Sequence, residues 1–377
     1  MTKNNSINLL KNLTPSAFLK KYWGKQALFL NNVIDISGAA LSKRIVFNLI
    51  KSENIESKII SFEDGAIQTA YGPFNKIRDD KHHSLLIHKF NLIHQFSYDL
   101  FQSINFIPYC LHDDVMMSFS SKGGGVGPHS DSYDVFLIQG QGEKSWDIGV
   151  TDKKRFQSAA GSHNTNEFTS TQQFIAKPGD VLYVPPFTPH HGVSLTDDCV
   201  TYSIGFRSPS NSEIRNRYLE FLLDDNQQSN ILFKDLRLDE HAKASIPDSL
   251  ASFIKKNITI HNEPDRMNDF VGIFLSEPHD TAIFTKKKIT EKTFRKIDIE
   301  TMLYLDIHTR AVIHQNNFYI NGEKVVVAKK NYIFFSALFN QKKMPITPNK
   351  ANSDLAEAII YLLSEGYITF KKYHFMI

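Results

Sequence analysis

An α+β fold organised around an antiparallel double-sheet barrel is predicted by three features of this sequence. Between Val115 and Phe206, short apolar runs alternate with Gly, Pro and Asp, the pattern of a jelly roll. Helical spacing flanks that stretch on both sides. The chain has 377 residues, of which 41% are hydrophobic and 22% charged, too apolar for a disordered chain and long enough for two or three domains.

Taken in order, Thr14-Pro15 reads as a helix start, with Phe18, Leu19, Tyr22 and Trp23 on one face and Gly24 ending it. Helical spacing returns from Leu41 to Ile50 and from about Leu85 to Phe101. Strands are predicted at Val135–Ile138, Trp146–Val150, Phe174–Ala176, Val181–Val184 and Val200–Phe206. Ser208-Pro209-Ser210-Asn211-Ser212 breaks the strand pattern and offers a helix cap. From Glu213 to about Lys256 the chain reads as helices, with Tyr218, Leu219, Leu222 and Leu223 on an apolar stripe. A last helix is predicted at Ser353–Glu365, capped by Gly366, with a strand at Tyr367–Phe370. Helix followed by hairpin resembles a winged-helix module. The expected organisation is therefore 1–207 (barrel from about 90), a helical segment at 208–256 and a winged-helix-like end at 257–377.

Composition excludes several classes. Aromatic residues number 29 Phe, 14 Tyr and 2 Trp, enough for well-filled cores. The net charge is only +3, and all of it lies beyond residue 256, where 16 basic residues face 13 acidic ones. That excess is too thin for a groove-reading basic face. Two cysteines, Cys110 and Cys199, exclude a disulfide framework and any four-thiolate metal site. No apolar run has the length of a signal peptide or a membrane span. The chain therefore reads as soluble and cytoplasmic, and any metal must fall to the 15 histidines and the carboxylates.

Two His-x-Asp pairs occur, His112/Asp114 and His129/Asp131. On a strand, residues i and i+2 point to one side, so such a pair delivers two ligands together. Two His and one carboxylate on one face of an octahedron make a non-haem iron site. Context favours the second pair, which follows Gly123-Gly124-Gly125-Val126-Gly127-Pro128, a run that lets backbone crowd a small ligand. Downstream, Pro178-Gly179-Asp180 signals a tight turn and Val181–Val184 a strand. Pro185-Pro186 stops it and leaves His190 or His191 on the following turn as the third ligand.

The run GGGVGPHSDSYDVFLIQGQGEKSWDIG (123–149), with KPGDVLYVPPFTPHHG (177–192) and YSIGFR (202–207), strongly resembles the bacterial JmjC-type ribosomal oxygenases of the cupin superfamily. FLKKYWGKQALFL (18–30), DDVMMSFS (113–120), GIFLSEPHD (272–280), FYINGEK (318–324) and LLSEGYITF (362–370) are similar to the same family's pattern in the same order, over nearly the whole chain. The resemblance implies a double-stranded β-helix barrel of JmjC type. It also implies an iron(II) enzyme with 2-oxoglutarate and O2 as cosubstrates, hydroxylating the Cβ of an arginine in large-subunit ribosomal protein sixteen.

By that resemblance His129, Asp131 and His190 are the catalytic iron ligands, and His191 is a surface or supporting residue. Lys144 matches the family's cation for the distal carboxylate of 2-oxoglutarate, with Ser118 adding a hydrogen bond. Asp114 and Tyr133 match the acceptor and the flat wall that hold the substrate arginine, and Ser203 completes that pocket. His112 then has no metal role. Asp113, Asp114 and Asp134 are expected to make the site locally acidic. The resemblance also implies a homodimer formed through 208–256 and a C-terminal module that does not read DNA. Residues 85–96 depart from the family, with His88 where it has Gln, while Asn91 is kept. Two other readings are a 2-oxoglutarate oxygenase acting on His or Lys of another protein, and a non-catalytic cupin or winged-helix regulator.

Overall fold

The structure is a computed structural model of the chain and describes residues 7–63, 66–76, 82–150, 169–223, 252, 254 and 264–377. Contacts divide the chain into two compact units, 1–208 with 373–377, and 209–372.

In the first unit, Thr14 accepts a hydrogen bond from Ala17 N and opens α1 (Pro15–Lys21), where the fixed φ of Pro15 suits the first turn. Strand β1 (Leu28–Leu30) follows, then α2 (Lys43–Leu49), capped by Ser42. Next come β2 (Ser57–Glu63), β3 (Ala66–Tyr71) and β4 (His83–Ile87), then α3 (Gln95–Ser103) and β5 (His112–Ser120). The barrel strands continue as β6 (Val135–Gln141), β7 (Lys144–Val150), β8 (Thr169–Ala176), β9 (Val181–Val184), β10 (His190–Ser194) and β11 (Cys199–Phe206).

Two sheets result, one ordered β1-β9-β6-β11-β5-β4-β2-β3 and the other β10-β7-β8. One face of the large sheet packs under the N-terminal helices through Phe18, Val46, Leu100, Tyr183 and Tyr202. Its other face meets the small sheet through Val135, Leu137, Leu182 and Val184 against Trp146 and Ile148. Burial on both faces explains why β6 and β9 are near-continuous apolar runs rather than alternating ones.

The helix expected over Leu85–Phe101 is instead β4, a 3-10 turn at Phe90–Leu92 and α3. Leu85 and Ile87 reach the core from a fully buried strand. A short apolar run of that kind is indistinguishable from a helix by spacing alone.

His94 precedes α3, 7% exposed, with its ring stacked on Tyr202 at 6.1 Å and close to Phe90. Burial pushes its pKa down to about 4 from 6.5. The unfolded chain takes up that proton first, so this contribution is fully present above about pH 6.5 and is lost as pH falls toward about 4. At most about 3 kcal/mol is involved. His94→Phe is expected to flatten the fall of the thermal midpoint over that window; a slope equal to wild type would refute the assignment.

The second unit opens with α4 (Asn211–Leu223), on which no residue is fully buried. Most of the helical segment expected at 208–256 (residues 224–251, 253, 255 and 256) lies outside the described residues. Then follow α5 (Pro264–Ser276), α6 (Glu291–Arg295), β12 (Thr301–Leu305), β13 (Ala311–His314), β14 (Asn317–Ile320) and β15 (Glu323–Val325). The unit ends with α7 (Tyr332–Gln341), β16 (Lys343–Ile346), α8 (Ser353–Glu365) and β17 (Ile368–Thr369).

The strands form two sheets, β16-β12-β17 and β13-β14-β15, around a core that includes Phe294, Leu303, Phe335 and Ile359. Helix α8 has the predicted bounds because Asn352 caps it and Gly366 takes φ +81 at its end. A single strand rather than a hairpin follows it, since β17 pairs with β12 far upstream. Cys110 and Cys199 are free thiols. Among the described residues no helix is long and apolar enough to cross a membrane.

Candidate functional site

His129, Asp131 and His190 each offer a donor atom within 4.8 Å of the other two. Asp131 Oδ2 lies 4.0 Å from His129 Nε2 and 3.7 Å from His190 Nε2. The expectation that His-x-Asp rides on a strand is not met. His129 sits in an isolated bridge, and Asp131 lies in the loop before β6. His190, expected on a turn, is the first residue of β10. The two histidines face one another through paired backbone hydrogen bonds, His129 N to His190 O at 3.0 Å and His190 N to His129 O at 2.8 Å. Ladder geometry therefore sets their spacing.

The glycines permit this approach. A Cβ on Gly125 would come within 2.3 Å of Gly192 O, and Gly127 takes φ +82.

The donor set fits a metal ion. Nδ1 of His129 lies 3.0 Å from Gly127 O, and Nδ1 of His190 lies 3.0 Å from Thr188 O. A carbonyl only accepts, so each Nδ1 carries the hydrogen and each Nε2 keeps its lone pair for the shared space with Asp131. Burial drives the pKa of His190 down to about 3 and raises that of Asp131, with His129 and Lys58 opposing the latter. Desolvation thus favours a neutral imidazole, the form that ligates.

Lys144 begins β7, 5% exposed, and runs past Gly192, whose Cβ would meet its Cε at 2.8 Å. Its Nζ lies 4.9 Å from the Trp146 ring centroid. Burial lowers its pKa, and among the described residues no ion pair involves it. A buried ammonium of this kind is costly without an anion. Ser118, 5% exposed, pairs in register with Thr201 and Leu86, and its hydroxyl donates weakly to Thr201 O at 3.5 Å.

Asp114 is partly buried, accepts a 2.9 Å hydrogen bond from Lys89 N, and lies 4.0 Å from His88 Nδ1. Tyr133 is 37% exposed and lies over Gly205, with burial and then Asp131, Asp114 and Asp113 raising its pKa. Ser203, half-buried, pairs with Met116 and Leu137. Register with Leu137 puts it on the barrel face.

Asp134, expected among the acidic residues of the site, is instead buried under the N-terminal helices, where it accepts hydrogen bonds from Gly24 N and the Tyr183 hydroxyl. His112 is buried against Phe101, Tyr109 and Phe206, its Nε2 3.1 Å from Ile104 O. It stands outside the triad. His191 also stands outside it. The next residue along β10, it is half-buried and pairs in register with Asp147, on the face opposite His190.

Sequence reasoning passed over Ser194. The residue is 1% exposed, its hydroxyl has no hydrogen-bond partner among the described residues, and it lies on β10 in register with Lys144. Its signal was present, since a residue four places after a ligand on one strand shares the ligand's face.

A family model described as the JmjC domain matches residues 99–214. Over 268 residues the chain is 30% identical to the ribosomal protein uL16 3-hydroxylase of Escherichia coli K12, covering 69% of this chain and 70% of that protein. It is 32% identical over 229 residues to a probable ribosomal oxygenase of Haemophilus influenzae, covering 57% of this chain and 55% of that one. The solved structure of E. coli YcfD is similar to it with a TM-score of 0.81 at 25% identity, over 96% of this chain and 99% of the other. The structure of YcfD, a ribosomal oxygenase from E. coli, in complex with cobalt and 2-oxoglutarate matches in fold with a TM-score of 0.79 at 24% identity, over 97% of this chain and the whole of that one.

Proposed function

We propose, for a chain that belongs to the family of the ribosomal protein uL16 3-hydroxylase, an iron(II)- and 2-oxoglutarate-dependent hydroxylation of the Cβ of an arginine in a large-subunit ribosomal protein. The observation that carries this reading is the convergence of His129, Asp131 and His190 in a barrel that also buries the cation of Lys144.

His129, Asp131 and His190 would hold the iron through two imidazoles and one carboxylate. The bound iron, with 2-oxoglutarate and oxygen, supplies the oxidising chemistry, and succinate and carbon dioxide leave as coproducts. This chain's residues bind and orient. Lys144 neutralises the distal carboxylate of 2-oxoglutarate, and Ser118 adds a hydrogen bond from the neighbouring sheet. Asp114 accepts from the guanidinium, Tyr133 lies along its methylene stem, and Ser203 closes the pocket. Together they present one C–H to the metal face.

Three parts are read within the chain, a catalytic part at 1–207, a helical segment at 208–256 that makes a homodimer, and a winged-helix-like end at 257–377. The exposed Leu219 and Leu223 on α4 support the dimer. The near-neutral charge supports an end that does not read DNA. A ribosomal substrate supports a cytoplasmic location.

Mass spectrometry of ribosomal proteins from cells with and without this protein tests the reading. One arginine peptide is expected to gain a single oxygen, and the same peptide should stimulate iron- and oxygen-dependent 2-oxoglutarate turnover. An oxidised His or Lys in another protein would establish the second substrate class. Absence of both oxidation and turnover would leave a non-catalytic regulator.

A further inference from the structure

Ser194 lies on β10 with His190 and Gly192, and alternation puts the three on one face of that strand. Their partners across the ladder on β7 are Lys144, Ile148 and Trp146 respectively. That face is the inside of the barrel, where Trp146 and Ile148 pack with Val135 and Leu137. The backbone of Ser194 is satisfied by the glycine run: its N–H donates to Gly124 O at 2.9 Å, and its carbonyl accepts from Gly123 N at 2.8 Å. Its hydroxyl is not satisfied. The residue is 1% exposed, and Oγ has no hydrogen-bond partner among the described residues. Burying a hydroxyl without a partner is unfavourable, so one held in this way is suited to a polar ligand.

The ammonium across the ladder is the second observation. Lys144 is 5% exposed and has no ion pair among the described residues. Gly192 lets its stem lie across β10, since a Cβ there would come within 2.8 Å of Lys144 Cε. One buried cation and one buried donor thus share a single face of the small sheet.

We infer that Ser194 is a further cosubstrate-binding residue, whose hydroxyl donates a hydrogen bond to the distal carboxylate of 2-oxoglutarate held by the Lys144 ammonium. This rests on the reading of Lys144 as the cation for that carboxylate. A carboxylate has two oxygens, so it accepts from the ammonium and still has room for a hydroxyl. Its charge strengthens the bond that a buried hydroxyl makes. One ligand group therefore relieves two desolvation penalties at once, that of the ammonium and that of the hydroxyl. A 2-oxo acid without a second carboxylate relieves neither, so this end of the barrel selects for a dicarboxylate.

The test measures dissociation constants for the full-length protein loaded with manganese(II). The probes are 2-oxoglutarate and 2-oxopentanoate, the same chain with a methyl group in place of the distal carboxylate. Ser194→Ala is expected to weaken 2-oxoglutarate roughly tenfold, the loss of one hydrogen bond to a charged group, with 2-oxopentanoate bound as well as before. Ser194→Cys keeps the volume but donates poorly, so it should show a similar loss and separate the donor from packing. Without ligand, Ser194→Ala should melt no earlier than wild type, and the rise in thermal midpoint on adding 2-oxoglutarate should shrink. Wild-type 2-oxoglutarate affinity in Ser194→Ala, the result if a buried water fills the site, would overturn the role of Ser194 and leave that of Lys144 intact. An equal loss for both acids would also overturn it, as an effect of packing. Wild-type 2-oxoglutarate affinity in Lys144→Ala would overturn the reading of Lys144 and this inference with it.

Discussion

Alanine at His129 or at Asp131 is expected to abolish peptide-dependent succinate formation, a loss of at least about a hundredfold, since even groups that merely support a metal ligand are worth 10- to 100-fold. The geometry makes the outcome sharp. Each imidazole is held by one carbonyl at Nδ1 and offers a single lone pair, and Asp131 is the one carboxylate in the triad. Removing either leaves two donors, too few to fix an ion against water.

The fold should survive these changes. Asp131 is desolvated and its carboxyl is pushed above the ordinary range, so the metal-free Asp131→Ala protein should unfold no earlier than wild type. Metal binding, followed by equilibrium dialysis with manganese(II), should fall with activity. Retention of peptide-coupled succinate formation by either variant would sink the ligand assignment.

Lys144→Ala is expected to raise the 2-oxoglutarate requirement by roughly 10- to 100-fold, the equivalent of about 1.5–3 kcal/mol for a charge-assisted hydrogen bond. Metal affinity should change little, because no triad atom bonds to Lys144. Lys144→Arg should keep most of the affinity. The pH dependence has a definite sign. Burial lowers the pKa of Lys144, so in the unliganded protein the cation is lost as pH rises through that lowered value. Wild-type 2-oxoglutarate affinity should therefore fall on the alkaline side, and the alanine variant should lack that limb. Unliganded Lys144→Ala should be as stable as wild type or more so, since it no longer buries an ammonium that has no carboxylate partner among the described residues. An unchanged 2-oxoglutarate requirement would return Lys144 to a purely structural role.

What was legible in the sequence depended on whether the signal was local. The bounds of α8 could be read because Asn352 and Gly366 mark its two ends by side-chain and backbone chemistry that needs no partner. The start of α1 at Pro15 was legible for the same reason. Leu85–Ile87 was misread because its spacing suited a helix, and only pairing with β2 and β5 makes it a strand. Asp134 was misplaced for a related reason. Its position five residues after His129 suggested the site, but its side chain turns to Gly24 and Tyr183, 110 and 49 residues away in sequence.

The residue types at 129, 131 and 190 and the glycine run before His129 were legible in the sequence alone, because two imidazoles and a carboxylate are the donors a non-haem metal takes; Lys144 entered through the family resemblance, as the proposed partner of a dicarboxylate. Position after Pro185-Pro186 left His190 and His191 open, and the resemblance chose His190; the structure supplies the physical reason. Alternation along β10 puts one imidazole toward Asp131 and the other toward Asp147. The physical reason is common to these cases. A side chain's chemistry is intrinsic, but its direction and its neighbours are set by hydrogen-bonded strands that meet from distant parts of the chain.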